Sequence, residues 1–293
     1  METGIAEQAG EAHTTLDLGV VIPARNAAST LAAQLDALLE NRYSGTWEII
    51  VADNGSTDGT AAVLATYASC SAPTVRRIDA SAERGVNAAR NAGVRATHAR
   101  KILICDADDV AAPGYVQALS DALDVADGAA GVMDFGRLNA HLAGKVPASG
   151  LVREGTTPVP IGACCAWRRS VWERLGGFDE SWVQGCDDIQ FALEAHRAGC
   201  VAIAVPTAVM HKRERHGREL FRQYVKYGLA RPRLCKAFPD LAEQRSTRAA
   251  ARHWLQLFGR VATGRGGDEA TLRQLGKNLG RLIGSARHRY WAP

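Results

Sequence analysis

Four successive strand-and-helix units run from residue 18 onward, and this alternation limits the fold more than any composition figure does. Residues 18–22 are apolar and end at Pro23, Ala24-Arg25-Asn26 makes a loop, and residues 29–39 carry Leu31, Leu35, Leu38 and Leu39 at helical spacing. The unit recurs as an apolar run at 47–52, the loop DNGSTDGT with Ser56 or Asp58 as cap, and a helix through Val63, Leu64 and Tyr67. A third pass gives a strand at 75–79, a loop at Glu83-Arg84-Gly85 and the helix AARNAGVRA, and the fourth strand is Ile102-Leu103-Ile104-Cys105. Parallel neighbours need helical crossovers, so the pattern predicts a doubly wound, mostly parallel α/β sheet.

The fourth strand ends in Asp106, Asp108 and Asp109. In an open α/β sheet, ligands bind beyond the carboxyl ends of the strands, so these carboxylates stand where a ligand would sit. Asp106 and Asp108 flank one residue, a spacing that lets two carboxylates meet one hard divalent cation that also holds phosphates. A strand ending in an acidic turn would look the same, so the surrounding residues must decide. No G-x-G-x-x-G follows the first strand and no G-x-x-x-x-G-K-[ST] occurs, which excludes dinucleotide and P-loop fingerprints.

With 293 residues, 46% of them hydrophobic, the chain can form one large domain or a domain with an appendage. No apolar run approaches the roughly 20 residues of a membrane span. The start METGIAEQAGEAHTTLD also lacks a signal-peptide pattern, so a cytoplasmic location is expected, peripheral to the inner face of the membrane if it meets one. Seven cysteines without metal-type spacing are read as reduced thiols. The net charge of +4 hides an asymmetry, because residues 201–293 hold 19 Lys and Arg against 6 Asp and Glu. Such a surface suits phosphate or anionic lipid; no recognised motif supports nucleic acid.

From residue 134 to 160, Gly, Pro and mixed charge predict a loop or small hairpin over the site. Residues 162–167, up to Trp167, are small and apolar enough to run close to a ligand, and SVWERLGGFDE reads as a short helix closed by Gly176 or Gly177. Asp187-Asp188 opens the helix IQFALEAHRAG, where acidic capping alone would explain the pair. A strand at 201–205 and a further apolar step at 208–210 lead to His211.

Taken in order, VVIPARN, VADNGSTDGT, ERGVNAARNAG, LICDADD, LGGFDE, GCDDIQF and VMH resemble glycosyltransferase family 2, over about two thirds of the chain. The resemblance implies a GT-A fold, which is Rossmann-like, and inverting transfer of a sugar from a nucleotide diphosphate to an acceptor. It places Pro23, Ala24, Arg25, Asn26, Asp53, Arg90 and Asp106 at the nucleotide, with Asp53 accepting from the base, usually uracil, so a UDP-sugar is the favoured donor. It makes Asp106, Asp108 and His211 the ligands of Mn2+ or Mg2+, and Asp188 the general base beside Asp187, where the family usually has Glu-Asp. RQYVKYG is faintly similar to an acceptor-side element of processive members, which would put Lys226 and Tyr227, with Trp167, near the acceptor; Tyr224 and Tyr227 packed inward on an amphipathic helix is the preferred reading. That acceptor is expected to be a glycan, a lipid-linked glycan or a small molecule. A nucleotidyltransferase or a catalytically silent nucleotide-sugar binding module are the alternatives.

The expected organisation is a loose tail at 1–17, a GT-A domain at 18–215 and a basic helical extension at 216–293. Its apolar residues Leu220, Phe221, Val225, Leu255, Phe258, Leu272 and Leu282 are expected to bury a modest face beside the acceptor side of the cleft.

Overall fold

A computed structural model describes residues 16–183, 185–240 and 246–292. Most of the expected tail lies outside these residues, but Asp17 is already fixed. Its amide donates to the Thr46 carbonyl (2.9 Å), and its own carbonyl accepts from Lys101 N (3.0 Å).

The four units form as read: β1 (Leu18–Ala24) and α1 (Leu31–Leu39), β2 (Trp47–Asp53) and α2 (Thr60–Ala65), β3 (Thr74–Asp79) and α3 (Val86–Ala96), then β4 (Lys101–Cys105). Strands β3, β2, β1 and β4 pair in parallel in that order. The first strand does not stop at Pro23, which pairs with Ala52. On its other side the β4 ladder ends at Val21, so the missing proline N–H interrupts no bond there.

Beyond β4 come the two-residue β5 (Val110–Ala111), α4 (Tyr115–Val125) and β6 (Gly128–Asp134). The stretch after β6 contains β7 (Ala148–Ser149) and the expected small hairpin, β8 (Leu151–Glu154) with β9 (Thr157–Pro160). Strand β10 (Cys164–Arg168) inserts antiparallel between β4 and β6, and α5 (Arg169–Leu175) ends at Gly176 with φ 74°. After α6 (Asp187–Arg197), the two apolar pieces expected at 201–210 form one strand, β11 (Ala202–His211), with a register shift between Ala204 and Val209. The whole is a nine-stranded mixed sheet between helices, the α/β architecture expected.

Period-two alternation buries the sheet on both faces. Val20, Ile22, Leu103 and Cys105 pack with α1 and α4, whereas Val21, Ile102, Ile104 and Trp167 face α3, α5 and α6. The second face also receives Ala230, Leu234 and Cys235 from α7 (Gly217–Ala237). Helices α8 (Thr247–Ala262) and α9 (Glu269–His288) follow, and α9 lies against α7 through glycines. A Cβ at Gly280 would meet the Val225 carbonyl, and would stand 2.8 Å from Gly228 Cα.

Helix α8 departs from expectation. It buries only Ala250 and Leu257, and leaves Leu255 70% and Phe258 63% exposed. Leu282 on α9 is also exposed.

Gly280→Ala should lower unfolding free energy by about 1–3 kcal/mol in chemical denaturation, because the crowding outweighs the gain in helix propensity. Gly259→Ala, on α8 with nothing within 4 Å of the added Cβ, should raise it by up to about 1 kcal/mol.

Candidate active site

A cleft of about 620 Å³ opens at the carboxyl ends of β1 and β4 and is closed on one side by α7. That volume is in the range of small-molecule sites. The end of β1 contributes Pro23 and the loop after it Arg25 and Asn26, while Ala24 is buried. Asn26 holds a left-handed conformation (φ 52°), which asparagine tolerates better than most residues. Its N–H donates to Ser56 Oγ (2.9 Å) and its Oδ1 accepts from Thr57 N (2.8 Å), tying the β1 and β2 loops together.

Asp53, expected to open the loop, is instead the last residue of β2, and it does not line the cleft among the described residues. Its Oδ1 accepts from Ser56 N (2.9 Å) and its Oδ2 from Arg77 Nη2 (2.8 Å). Burial opposes its charge, yet the Ser56 and Arg77 bonds prevail and hold the carboxyl below its usual range.

The organising feature is the acidic cluster after β4. Ligand atoms of Asp106, Asp108 and Asp109 all lie within 4.8 Å of one another. Among them sits an ammonium that the sequence reading missed: Lys212 Nζ bonds Asp106 Oδ2 (3.1 Å) and Asp109 Oδ2. Burial works against the charge on Lys212, but Asp106 and Asp109 outweigh it and raise its pKa. Burial pushes Asp108 up, reinforced by Asp106. Burial also raises Asp109, to about 7, against the pull of Lys212. Lys212, and Arg215 Nη2 at 4.0 Å from Asp108 Oδ2, offset part of this negative charge, and the converging oxygens suit a hard divalent cation such as Mg2+ or Mn2+.

His211 does not join them. It is the register partner of Asp134 on neighbouring strands, so the two side chains share a face, and Nδ1 meets Asp134 Oδ2 at 2.8 Å. Arg137 Nη1 lies 3.3 Å from Nε2. Alternation sends Met210 and Lys212 to the other face, where Gln34 Nε2 is 3.9 Å from Met210 Sδ and donates to the Asp106 carbonyl (3.2 Å). The structure thus does not bring the expected set of Asp106, Asp108 and His211 together; the carboxylates that converge are those of the three aspartates. Trp167 is corrected for the same reason: its strand position turns it into the core, edge-on to Phe191 with ring centroids 5.3 Å apart.

Across the cleft, Asp187 and Asp188 open α6 and have different surroundings. Asp187 pairs with the buried Arg90, which also donates to Asn87 Oδ1 (3.0 Å). Burial disfavours the guanidinium charge, and Asp187, Asp188 and Asp106 more than restore it. Asp188 forms no ion pair among the described residues, although the Arg90 charge reaches it; its oxygens accept from Gly162 N (2.8 Å) and Ile189 N (2.9 Å). Burial, then the charge of Asp187, raises its pKa. Gly162 permits this approach, since a Cβ there would lie 2.7 Å from Arg90 Nη2 and 3.0 Å from Asp188 Cβ.

On the α7 side, Gln223, Tyr224, Lys226 and Tyr227 line the cleft. The preferred inward packing of the two tyrosines is replaced by a place in the cleft wall, with their rings 5.4 Å apart and Gln223 Nε2 donating to Tyr227 Oη (2.8 Å).

The family model for glycosyl transferase family 2 matches residues 19–176, more than half of the chain. The chain belongs to glycosyltransferase family 2. Among curated relatives, it is 33% identical over 110 residues to the succinoglycan biosynthesis protein ExoO of Rhizobium meliloti, covering 38% of this chain and 30% of that protein. It is 34% identical over 106 residues to the dolichyl-phosphate beta-glucosyltransferase of Drosophila melanogaster, covering 33% of this chain and 32% of that one. These matches span about a third of the relatives' own length. Among solved structures, the mannosyltransferase PcManGT of Pyrobaculum calidifontis, in complex with GDP-Man and Mn2+, aligns with TM-score 0.69 at 20% identity, over 93% of this chain and 88% of that one. TarS 1–349 of S. aureus with UDP-GlcNAc aligns with TM-score 0.55 at 15% identity, over 94% and 93%. Both likenesses support the GT-A fold.

Within this family-2 chain, Lys212 and Asp109 were legible in part. The run His-Lys-Arg-Glu-Arg at 211–215 follows a strand, and its alternation puts one charge on the face of the β4 aspartates. Lys212→Met should cost about 3–5 kcal/mol in urea unfolding, because it strips a buried ammonium from Asp106 and Asp109. A loss under about 1 kcal/mol would mean the contact is solvated like a surface pair.

Proposed function

We propose that the chain is an inverting, divalent-cation-dependent glycosyltransferase that moves a sugar from a nucleotide-diphosphate sugar to an acceptor hydroxyl or similar nucleophile. The observation that supports it best is the contrast between two neighbouring carboxylates at the start of α6. Asp187 is paired directly with Arg90, whereas Asp188 makes no ion pair among the described residues and keeps a raised pKa despite the nearby Arg90. A general base works best when its pKa approaches the working pH.

In this reading the donor lies along the loops after β1 and β4, with Arg25, Asn26 and Arg90 at the nucleotide. Asp188 takes the acceptor proton as the nucleophile attacks the anomeric carbon, from the face opposite the diphosphate. The anomeric bond to the diphosphate breaks, and the configuration inverts. Asp106 and Asp108, with Asp109, would hold the cation, which supplies positive charge at the departing diphosphate. Lys212 adds a second positive charge at that end. Tyr224, Lys226 and Tyr227, contributed by α7 in the helical region 216–293, form the acceptor side. The preference for uridine rested on Asp53, whose oxygens are engaged by Ser56 and Arg77, so a donor screen decides the base.

Chelator should abolish turnover, and added Mn2+ should restore it; undiminished rate in excess chelator would exclude the cation. A nucleotide sugar at a hundredfold excess over its dissociation constant, with Mn2+, should stabilise the fold by about 2.7 kcal/mol.

Asp188→Asn should keep that stabilisation while losing transfer rate by about 10²–10⁴-fold. Asp187→Asn should show itself mainly in stability, by about 3–5 kcal/mol, because Arg90 is left buried without its partner. The roles are reversed if Asp187→Asn folds normally and is the slower enzyme. Donor binding with neither transfer nor hydrolysis in the wild type would instead identify a nucleotide-sugar binding module.

A further inference from the structure

Helices α8 and α9 form an antiparallel pair, fixed at one end by Arg260 Nη2 and Asp268 Oδ2 (3.3 Å) and at the other by Trp291 Nε1 donating to Thr247 Oγ1 (3.1 Å). His253 and Gln274 meet between them (3.3 Å). On α8, Ala251, Leu255, Phe258 and Ala262 recur at i, i+4, i+7 and i+11, and all are exposed. On α9, Leu279, Ile283 and Ala286 make a matching exposed stripe.

The two stripes share one side of the pair. At about 100° per residue, each lies roughly 110° from the face its helix turns to the other, in the same sense of rotation. Helices that run in opposite directions carry such stripes to the same side. Trp291, 57% exposed, stands at the end of this surface.

Charge identifies what the surface fits. Helix α8 contains no acidic residue, and none occurs from residue 270 to 292. Exposed Arg248 and Arg252 sit beside the Leu255 stripe, and exposed Arg287 and Arg289 follow the Ile283 stripe. An apolar flank of Leu and Phe, an exposed Trp and a basic border without acids is the pattern of helices that lie in a bilayer interface. No helix among the described residues is long and apolar enough to cross a membrane. A second copy of the chain is the less fitting occupant, because it would bring arginine against arginine.

We propose that the α8–α9 pair is a docking surface for an anionic membrane, with Leu255, Phe258, Leu279 and Ile283 entering the interface and the arginines meeting lipid headgroups. Helix α9 packs on α7, and α7 walls the acceptor side of the cleft, so docking would hold that side one helix layer from the bilayer. The surface stands on its own observations, apart from the transferase reading.

The test is co-sedimentation of the full chain with vesicles of phosphatidylcholine alone or with about a third phosphatidylglycerol, with no nucleotide, sugar or metal present. Binding is expected to the anionic vesicles and to weaken with added salt, since headgroup attraction is screened beyond about 8 Å at physiological ionic strength. Leu255→Ser with Phe258→Ser, both exposed and so compatible with folding, should reduce vesicle affinity at least about tenfold, given the apolar area withdrawn from the interface. Arg248→Glu with Arg252→Glu should remove the preference for anionic vesicles. Donor-induced stabilisation should be unchanged in both. Equal sedimentation of wild type and the serine variant, or none with anionic vesicles, would overturn the proposal. So would a dimer in light scattering that the serine variant dissolves.

Discussion

Asp106, Asp108, Asp187 and Asp188 line one cleft with Asp109 buried beside them, and two buried cations make that arrangement tolerable. Arg90 reaches from α3 to Asp187, and Lys212 reaches from the end of β11 to Asp106 and Asp109. Stripping like charges of solvent is costly unless opposite charge is built in beside them. The two sides of the cleft are therefore balanced differently. On the β4 side three carboxylates face Lys212 and the half-exposed Arg215, a balance that suits a hard divalent cation. The α6 side gives Arg90 to Asp187 directly and leaves Asp188 without an ion pair among the described residues.

Backbone proximity makes this balance possible. Gly162 lets the strand entering β10 pass against both Arg90 and Asp188, and its amide donates to the Asp188 carboxylate. Asn91 extends the same scaffold: its side chain donates to the Phe178 carbonyl (2.8 Å) and accepts from Phe178 N (2.9 Å), holding the turn before α6 against α3. Arg90 and Asn91 are adjacent, so α3 positions both the ion pair and the loop that carries its partner.

The C-terminal helices continue this logic outward. Helix α7 contributes to the second core and to the cleft wall, and its glycine contacts with α9 bring the two backbones close. Helix α8, by contrast, buries two side chains, half-buries Ala249, His253 and Trp254, and presents the rest. A segment so apolar and basic on its outer face gains little from the protein beneath it, and the composition asymmetry of residues 201–293 has its structural counterpart there.

The sequence by itself determined the strand-helix alternation, the carboxylates beyond β4, the acidic pair opening α6 and the basic character of the C-terminal region. Local periodicity and turn chemistry set these, and they survive any packing. Only the tertiary structure decided which side chains share a face. Register pairs His211 with Asp134 and sends Lys212 to the aspartates, insertion of β10 between β4 and β6 turns Trp167 into the core, and Arg77 takes the carboxylate of Asp53. A one-residue step along a strand reverses the side it faces, and neighbours on other strands fix which side holds the site. Helical spacing marked Leu255 and Phe258 as one apolar face, but spacing cannot say whether anything packs against it. That depends on what α9 presents, and here α9 meets α8 on a different side.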